Sequence, residues 1–182
     1  LLAGLLMAVP VLAVPTPITP FDLPLPGTTA AAEPVLAGIA ISDTLVPFAF
    51  VSATKPVTGT IQVRVVRDAG NKLAFYWKIN NAATSKGNVE AMSISGFPKV
   101  AYDANWRKDG LGTVAPTSVA GGFGAGLDQW LYGFSFKVPI KPGESSRFFF
   151  LRSGATASKP VTARLQTDGG ATADFAIKAP VS

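Results

Sequence analysis

Asp103, Asn105 and Asp109 place three oxygen donors at relative positions one, three and seven, the spacing that opens a calcium-binding loop. The rest of that pattern is missing. Arg107 stands at the fifth position, Lys108 replaces the turn glycine and Val114 replaces the bidentate glutamate. The plainer reading is an Asx-rich turn closed by its own side-chain-to-backbone hydrogen bonds. Ser145 and Ser146 follow Pro142-Gly143-Glu144, but no second glycine completes a nucleophile elbow, so they read as turn residues. A two-carboxylate hydrolase needs acids facing each other across a cleft, and the glutamates, Glu33, Glu90 and Glu144, announce no such pair. Trp106-Arg107-Lys108 sets an aromatic beside two cations, a combination suited to lipid headgroups, glycans or an acidic protein. Its plain alternative is a tryptophan folded back on the core with solvated basic neighbours.

The chain of 182 residues contains no histidine and no cysteine. That removes the Ser-His-Asp arrangement, the usual general base near neutral pH, thiolate nucleophiles, disulfides and the common zinc sites. The expectation is a protein without enzymatic activity, cofactor or metal. Its net charge is +5, yet the first thirty-four residues carry only Asp22 and Glu33 as charges, so the basic character belongs to the remainder. There the cations are spaced singly rather than clustered, which argues against nucleic acid as a partner.

Composition divides the chain at residue 34. Seven of the fifteen prolines lie within residues 1–34, as does an apolar or small run over residues 1–14 that only Pro10 breaks. The run is too short to span a bilayer as a helix, which takes about twenty residues. It has the length of a signal-peptide core, with Val11-Leu12-Ala13 as a small-residue cleavage pattern but no basic segment ahead of it. Two readings stay open: a signal core that is removed, or a retained segment, led by Leu1, Leu2, Leu5 and Leu6, that buries itself in a membrane or a partner. Pro15, Pro17, Pro20, Pro24 and Pro26, with Phe21 among them, impose extended, polyproline-like backbone. Such a segment loses little entropy when it lies across another protein, and equally serves as a stiff spacer.

Residues 35–182 read as one antiparallel β-sandwich, jelly-roll-like, preceded by this extended proline-rich arm. Ile61, Val63 and Val65 alternate with Gln62 and Arg64; after a turn at residues 68–71, Leu73, Phe75, Trp77 and Ile79 answer them. Residues 89–95 form a shorter strand with Met92 and Ile94 inward, and residues 100–102 are expected to add another. Residues 103–126 dissolve into Gly, Pro, Ser and Thr, which predicts a long surface loop. Trp130, Tyr132, Phe134, Phe136 and Val138 then fall on one face. Phe148-Phe149-Phe150-Leu151 is apolar on both faces, as in a central strand, and a hairpin over residues 161–177 closes the chain. Residues 46–51 are the best strand candidate near the start, with Pro47 assigning it to an edge.

The stretches GTIQVRVVRDAGNKLAFYWKIN (59–80), YDANWRKDGLGTVAP (102–116) and PGESSRFFF (142–150), with the Asp-Gly-Gly hairpin at 168–170, resemble exported bacterial proteins of the PEP-CTERM-associated kind. The resemblance covers most of residues 35–182. It implies a signal peptide, a β-sandwich ectodomain and a place in the cell envelope or extracellular matrix, without a known enzymatic activity for most members. It also implies a C-terminal Pro-Glu-Pro, helix and arginine tail, whereas this sequence closes on Lys178-Ala179-Pro180-Val181-Ser182. If such a tail was never present, attachment falls to the arm.

The resulting expectation is a periplasmic or envelope-facing, membrane-associated structural subunit. Its partners would be a membrane surface or membrane-protein complex and other protein subunits, for instance an energy-transducing assembly such as a photosynthetic reaction centre with its antenna. The contacts are assigned to Leu1, Leu2, Leu5, Leu6, Pro15, Pro17, Pro20, Phe21, Pro24, Pro26, Trp106, Arg107 and Lys108. Two alternatives remain: a secreted matrix or glycan-binding module, and a subunit of an extracellular filament.

Overall fold

The computed structural model describes residues 18, 22–98, 100–123 and 130–181. Two antiparallel sheets face each other. One has six strands, in the order β1 (Leu23–Pro24), β7 (Ser118–Phe123), β8 (Trp130–Ile140), β5 (Val89–Ser95), β10 (Ser158–Thr167) and β11 (Thr172–Pro180). The other has five, in the order β2 (Ile39–Ser52), β3 (Lys55–Arg67), β4 (Leu73–Asn81), β9 (Phe149–Arg152) and β6 (Asp103–Trp106). The protein is an all-β sandwich. Among the described residues, no helix is long and apolar enough to cross a membrane.

The alternating residues do what their period requires. Val63 pairs with Trp77 and Val65 with Phe75, and all four point between the sheets, where they meet Met92, Ile94, Phe134 and Phe149. Trp77 is fully buried, with its ring centroid 5.9 Å from Phe149, 6.0 Å from Phe97 and 6.2 Å from Phe134. Trp130 is half-buried against the same core. β9 is apolar on both faces for a local reason: Phe149 and Leu151 enter the main core, whereas Phe150 joins a second cluster on the outer face of the five-stranded sheet. That cluster contains Leu36, Val66, Ala74, Tyr76 and Phe148. Leu36 lies in a 3-10 turn at Pro34–Leu36, so the segment just before β2 roofs it.

Pro47 sits on an edge strand, as expected, and its direction follows from the ladder. Ile79 N–H donates to Ser146 Oγ, and the Ile79 carbonyl accepts from Ser146 N–H, so the Ile79 peptide groups point away from β3. Ile79 pairs with Ile61 and Ile61 with Val46. Alternation therefore turns Val46 toward β3 and Pro47 outward, where its missing N–H breaks the open edge rather than the sheet.

Three expectations are corrected. Residues 103–126 do not form a loop throughout, because β6 and β7 both lie within them. β7 escapes notice because Ala120, Gly121 and Gly122 carry no alternation signal; a Cβ on Gly121 would stand 3.0 Å from Trp130 Nε1, so glycine is what lets the neighbouring indole approach. Residues 100–102 form no strand; Tyr102 instead turns into the core and its hydroxyl donates to the Pro98 carbonyl at 3.0 Å. Val138 is 61% exposed rather than buried. Ala91 pairs with Ser135 but Val89 with Ile140, so β8 carries extra residues in a bulge and Ile140 takes the core position.

Candidate functional site

The described part of the arm is seated on the sandwich, and Trp106 and Arg107 form its seat. Leu23 pairs with Val119 and Pro24 with Ser118, while Leu25 N–H donates to the Thr117 carbonyl, all on the six-stranded sheet. Three residues later the chain has crossed to the other sheet. Thr28 N–H donates to the Trp106 carbonyl at 2.9 Å, and Lys108 N–H donates to the Thr28 carbonyl at 2.8 Å. Residues 23–28 thus tie the open sides of both sheets together by backbone bonds, so polar groups of two edge strands are satisfied by one segment. Leu25 is buried, and Ile18 shares the main core.

Side chains fix the crossing. Trp106 Nε1 donates to the Leu25 carbonyl at 3.0 Å, and Asn105 Oδ1 accepts from Gly27 N–H at 2.8 Å. Gly27 has φ +76°, and its α-carbon lies so near the indole that an added Cβ would fall 2.4 Å from Trp106 Cζ2. Only glycine meets both the left-handed backbone and the close approach. Beyond it, Ala30 N–H donates to Asp109 Oδ2 at 2.8 Å, and Arg107 Nη1 donates to the Leu36 carbonyl at 3.2 Å. Asp109 itself grips Arg107 at 2.7 Å.

These contacts account for the oxygen cluster. Asp103 accepts from Arg152, Asn105 from Gly27 and Trp106, and Asp109 from Arg107 and Ala30, so the three side chains are each engaged by different partners rather than by one common centre. Burial raises the Asp103 pKa against the opposing pull of Arg152. The Arg107 guanidinium, helped by Ala30 N–H, holds Asp109 down at about 2. Because that folded value lies below the ordinary 3.8, the Asp109 contacts favour the folded state above about pH 4 and fade as pH falls toward 2. Asp109→Asn is therefore expected to flatten the acid limb of stability. Urea midpoints measured from pH 7 to pH 2 should converge for the two proteins at the acid end.

Between this seat and the roof of the outer cluster lies a cleft of about 440 Å³, lined by Arg64, Tyr76, Arg107, Leu111 and Phe148 among others. The Arg64 guanidinium lies 4.8 Å over the Phe148 ring and is paired with Asp43. The Tyr76 hydroxyl is buried beside the Arg107 guanidinium; burial pushes its pKa up, and the guanidinium pulls against that shift. Arg64, Tyr76 and Phe148 escaped the sequence reading as cleft residues: alternation marks Arg64 on β3 and Tyr76 on β4 only as facing away from the main core, and Phe148, just before β9, reads as part of an apolar run.

The other assigned contacts fall as follows. Pro24 lies in β1, and Pro26 and Lys108 are exposed. Leu1, Leu2, Leu5, Leu6, Pro15, Pro17, Pro20 and Phe21 lie outside the described residues. Ser146 is fully buried and accepts from Ile79 N–H, and the Ser145 carbonyl accepts from Thr113 and Val114 N–H, both as backbone fasteners. Glu90 accepts from Gln166 and Glu144 from Lys141 N–H, in separate parts of the fold. What the arrangement does chemically is hold a segment of chain, with indole, guanidinium and carboxylate all directed at backbone groups of residues 25–36. No family model matches the chain, and no curated protein or solved structure matches it.

Proposed function

We propose that the protein is a non-enzymatic, exported structural subunit that uses its sandwich as a rigid base and residues 1–17 as the attachment to a membrane or membrane-protein complex. The observation that carries this reading is the seating of residues 23–28 across both sheets. A tether transmits position only if its root is fixed, and here the root is held by backbone bonds to two sheets and by Ile18 and Leu25 in the core. In sequence, the apolar residues 1–14 stand ahead of that root, with Pro15, Pro17 and Pro20 between the two, a composition that favours polyproline-like backbone. Residence in the periplasm or cell envelope, kinship with PEP-CTERM-associated proteins, and a host such as a photosynthetic reaction centre with its antenna belong to the same proposal and rest on the sequence alone.

The test is a full chain carrying Leu5→Asp and Leu6→Asp. Two charges in the apolar run are expected to move the protein from the washed-membrane fraction to the supernatant, with the unfolding midpoint measured alongside to check that the sandwich is intact. Retention on membranes at the parent level would sink the reading. The alternative of a glycan-binding module in the matrix loses ground on one observation: Trp106, its best platform, is already engaged by Gly27 and Leu25.

A further inference from the structure

One end of the sandwich carries a shallow groove of about 740 Å³ whose walls include Pro98, Val100, Ala101, Tyr102, Pro180 and Val181. Val100 is 52% exposed and Val181 is 42% exposed, so two aliphatic side chains stand on its rim. The hydroxyls that might have made the groove polar are turned into its walls. Tyr102 Oη donates to the Pro98 carbonyl at 3.0 Å, and Tyr132 Oη lies 3.3 Å from the same oxygen and 3.4 Å from that of Val100. What remains to meet a ligand is mainly hydrocarbon.

Cations flank it. Lys72 precedes Leu73, whose N–H donates to the carbonyl of Ala155 in the groove wall. Lys159 lies opposite Ala179 in the β10–β11 ladder, one residue from Pro180. Both lysines are exposed, and among the described residues neither is in an ion pair. The acid nearest in sequence, Asp68, accepts from the Lys72 backbone N–H. The arm joins the domain at this end too: a Cβ on Gly121 would lie 3.1 Å from the Ile18 carbonyl and 3.3 Å from the ring of Tyr132, the residue whose hydroxyl reaches the groove wall.

We propose that this end is a second membrane contact, in which Val100 and Val181 enter the headgroup boundary while Lys72 and Lys159 face acidic lipid. The proposal rests on the arm reading above and names its partner as an anionic bilayer surface. A protein partner would ask for matched donors and acceptors, whereas a lipid surface asks for exposed hydrocarbon ringed by cations, which is what the groove offers.

The test uses the full chain and vesicles of phosphatidylcholine with or without about a third phosphatidylglycerol, followed by co-sedimentation. The expected result is binding to the anionic vesicles that falls about tenfold or more with Val100→Asp and Val181→Asp together, and about fivefold for each of Lys72→Gln and Lys159→Gln. Near-ultraviolet circular dichroism of each variant checks that the core is intact. Equal binding of the parent and the double aspartate variant overturns this contact while leaving the arm reading standing, since Leu5→Asp with Leu6→Asp tests that separately. Equal binding to neutral vesicles overturns the role of acidic lipid. Failure to bind either vesicle, with retention on native membranes, assigns the groove to a protein. Concentration-dependent self-association lost in the double aspartate variant assigns it to a second copy, and both of these results also overturn the lipid contact.

Discussion

Gly27→Val is expected to unseat the arm. A β-branched residue at φ +76° costs about 1–2 kcal/mol in backbone strain, and its Cβ cannot occupy a point 2.4 Å from Trp106 Cζ2. The indole must move, which breaks its bond to the Leu25 carbonyl, and the ties of Thr28 to Trp106 and Lys108 follow the same displacement. Loss of one buried seat with its hydrogen bonds adds about 2–3 kcal/mol, giving a total near 4 kcal/mol. The two sheets keep their shared core, so the outcome is a folded sandwich with a released segment. Amide hydrogen exchange reads this directly, because the N–H groups of Leu25, Gly27 and Thr28 donate to Thr117, Asn105 and Trp106 in the parent and lose that protection when the segment is released. Gly170→Ala is the matched control. It has φ +75° but nothing within 4 Å of the added Cβ, so it carries the backbone term alone and should leave the parent's protection of residues 25–28 unchanged. If those amides exchange alike in Gly27→Val and Gly170→Ala, the clasp is not what holds the arm.

Trp77→Ala is expected to weaken the sandwich itself. The side chain is fully buried and touches rings contributed by both sheets and by the Gly96–Phe97 turn, so its removal leaves a large cavity that neighbours cannot close without parting the layers. The cost is about 3–5 kcal/mol, which for a chain of this size lowers the melting temperature by about 10–15 °C. Differential scanning calorimetry checks it, and a loss below about 1 kcal/mol would mean that the two layers are not coupled through this indole. The same substitution separates core from clasp: amide exchange should rise throughout the sandwich in Trp77→Ala, and only over residues 23–28 in Gly27→Val.

The contrast between these two residues marks where the sequence was legible. Trp77 announced itself by position, since Leu73, Phe75, Trp77 and Ile79 repeat with the period of a strand against the answering Ile61, Val63 and Val65. Pro47 announced an edge, and the Asp168-Gly169-Gly170 turn announced the last hairpin. Gly27 carried no such signal. A glycine among prolines reads as loop punctuation, and its function depends on an indole seventy-nine positions away. β7 was missed for a related reason: Gly121 and Gly122 are strand residues because something packs close to them, which local alternation cannot express.

The assigned contacts divide along the same line. Trp106, Arg107 and Lys108 stood out as an aromatic beside two cations, and the fold gives the first two an internal partner, residues 25–36, leaving Lys108 exposed. By itself the sequence determined the sandwich class, most of the inward residues though not Val138, the edge at β2 and the lack of histidine and cysteine side chains, because these follow from period, turn type and composition. Tertiary structure alone decided that the arm's described end closes both sheets, that Asp103, Asn105 and Asp109 face different partners, and that Val100 and Val181 share one groove. Each of those depends on residues far apart in the chain meeting in space, and a one-dimensional pattern holds no distance between them.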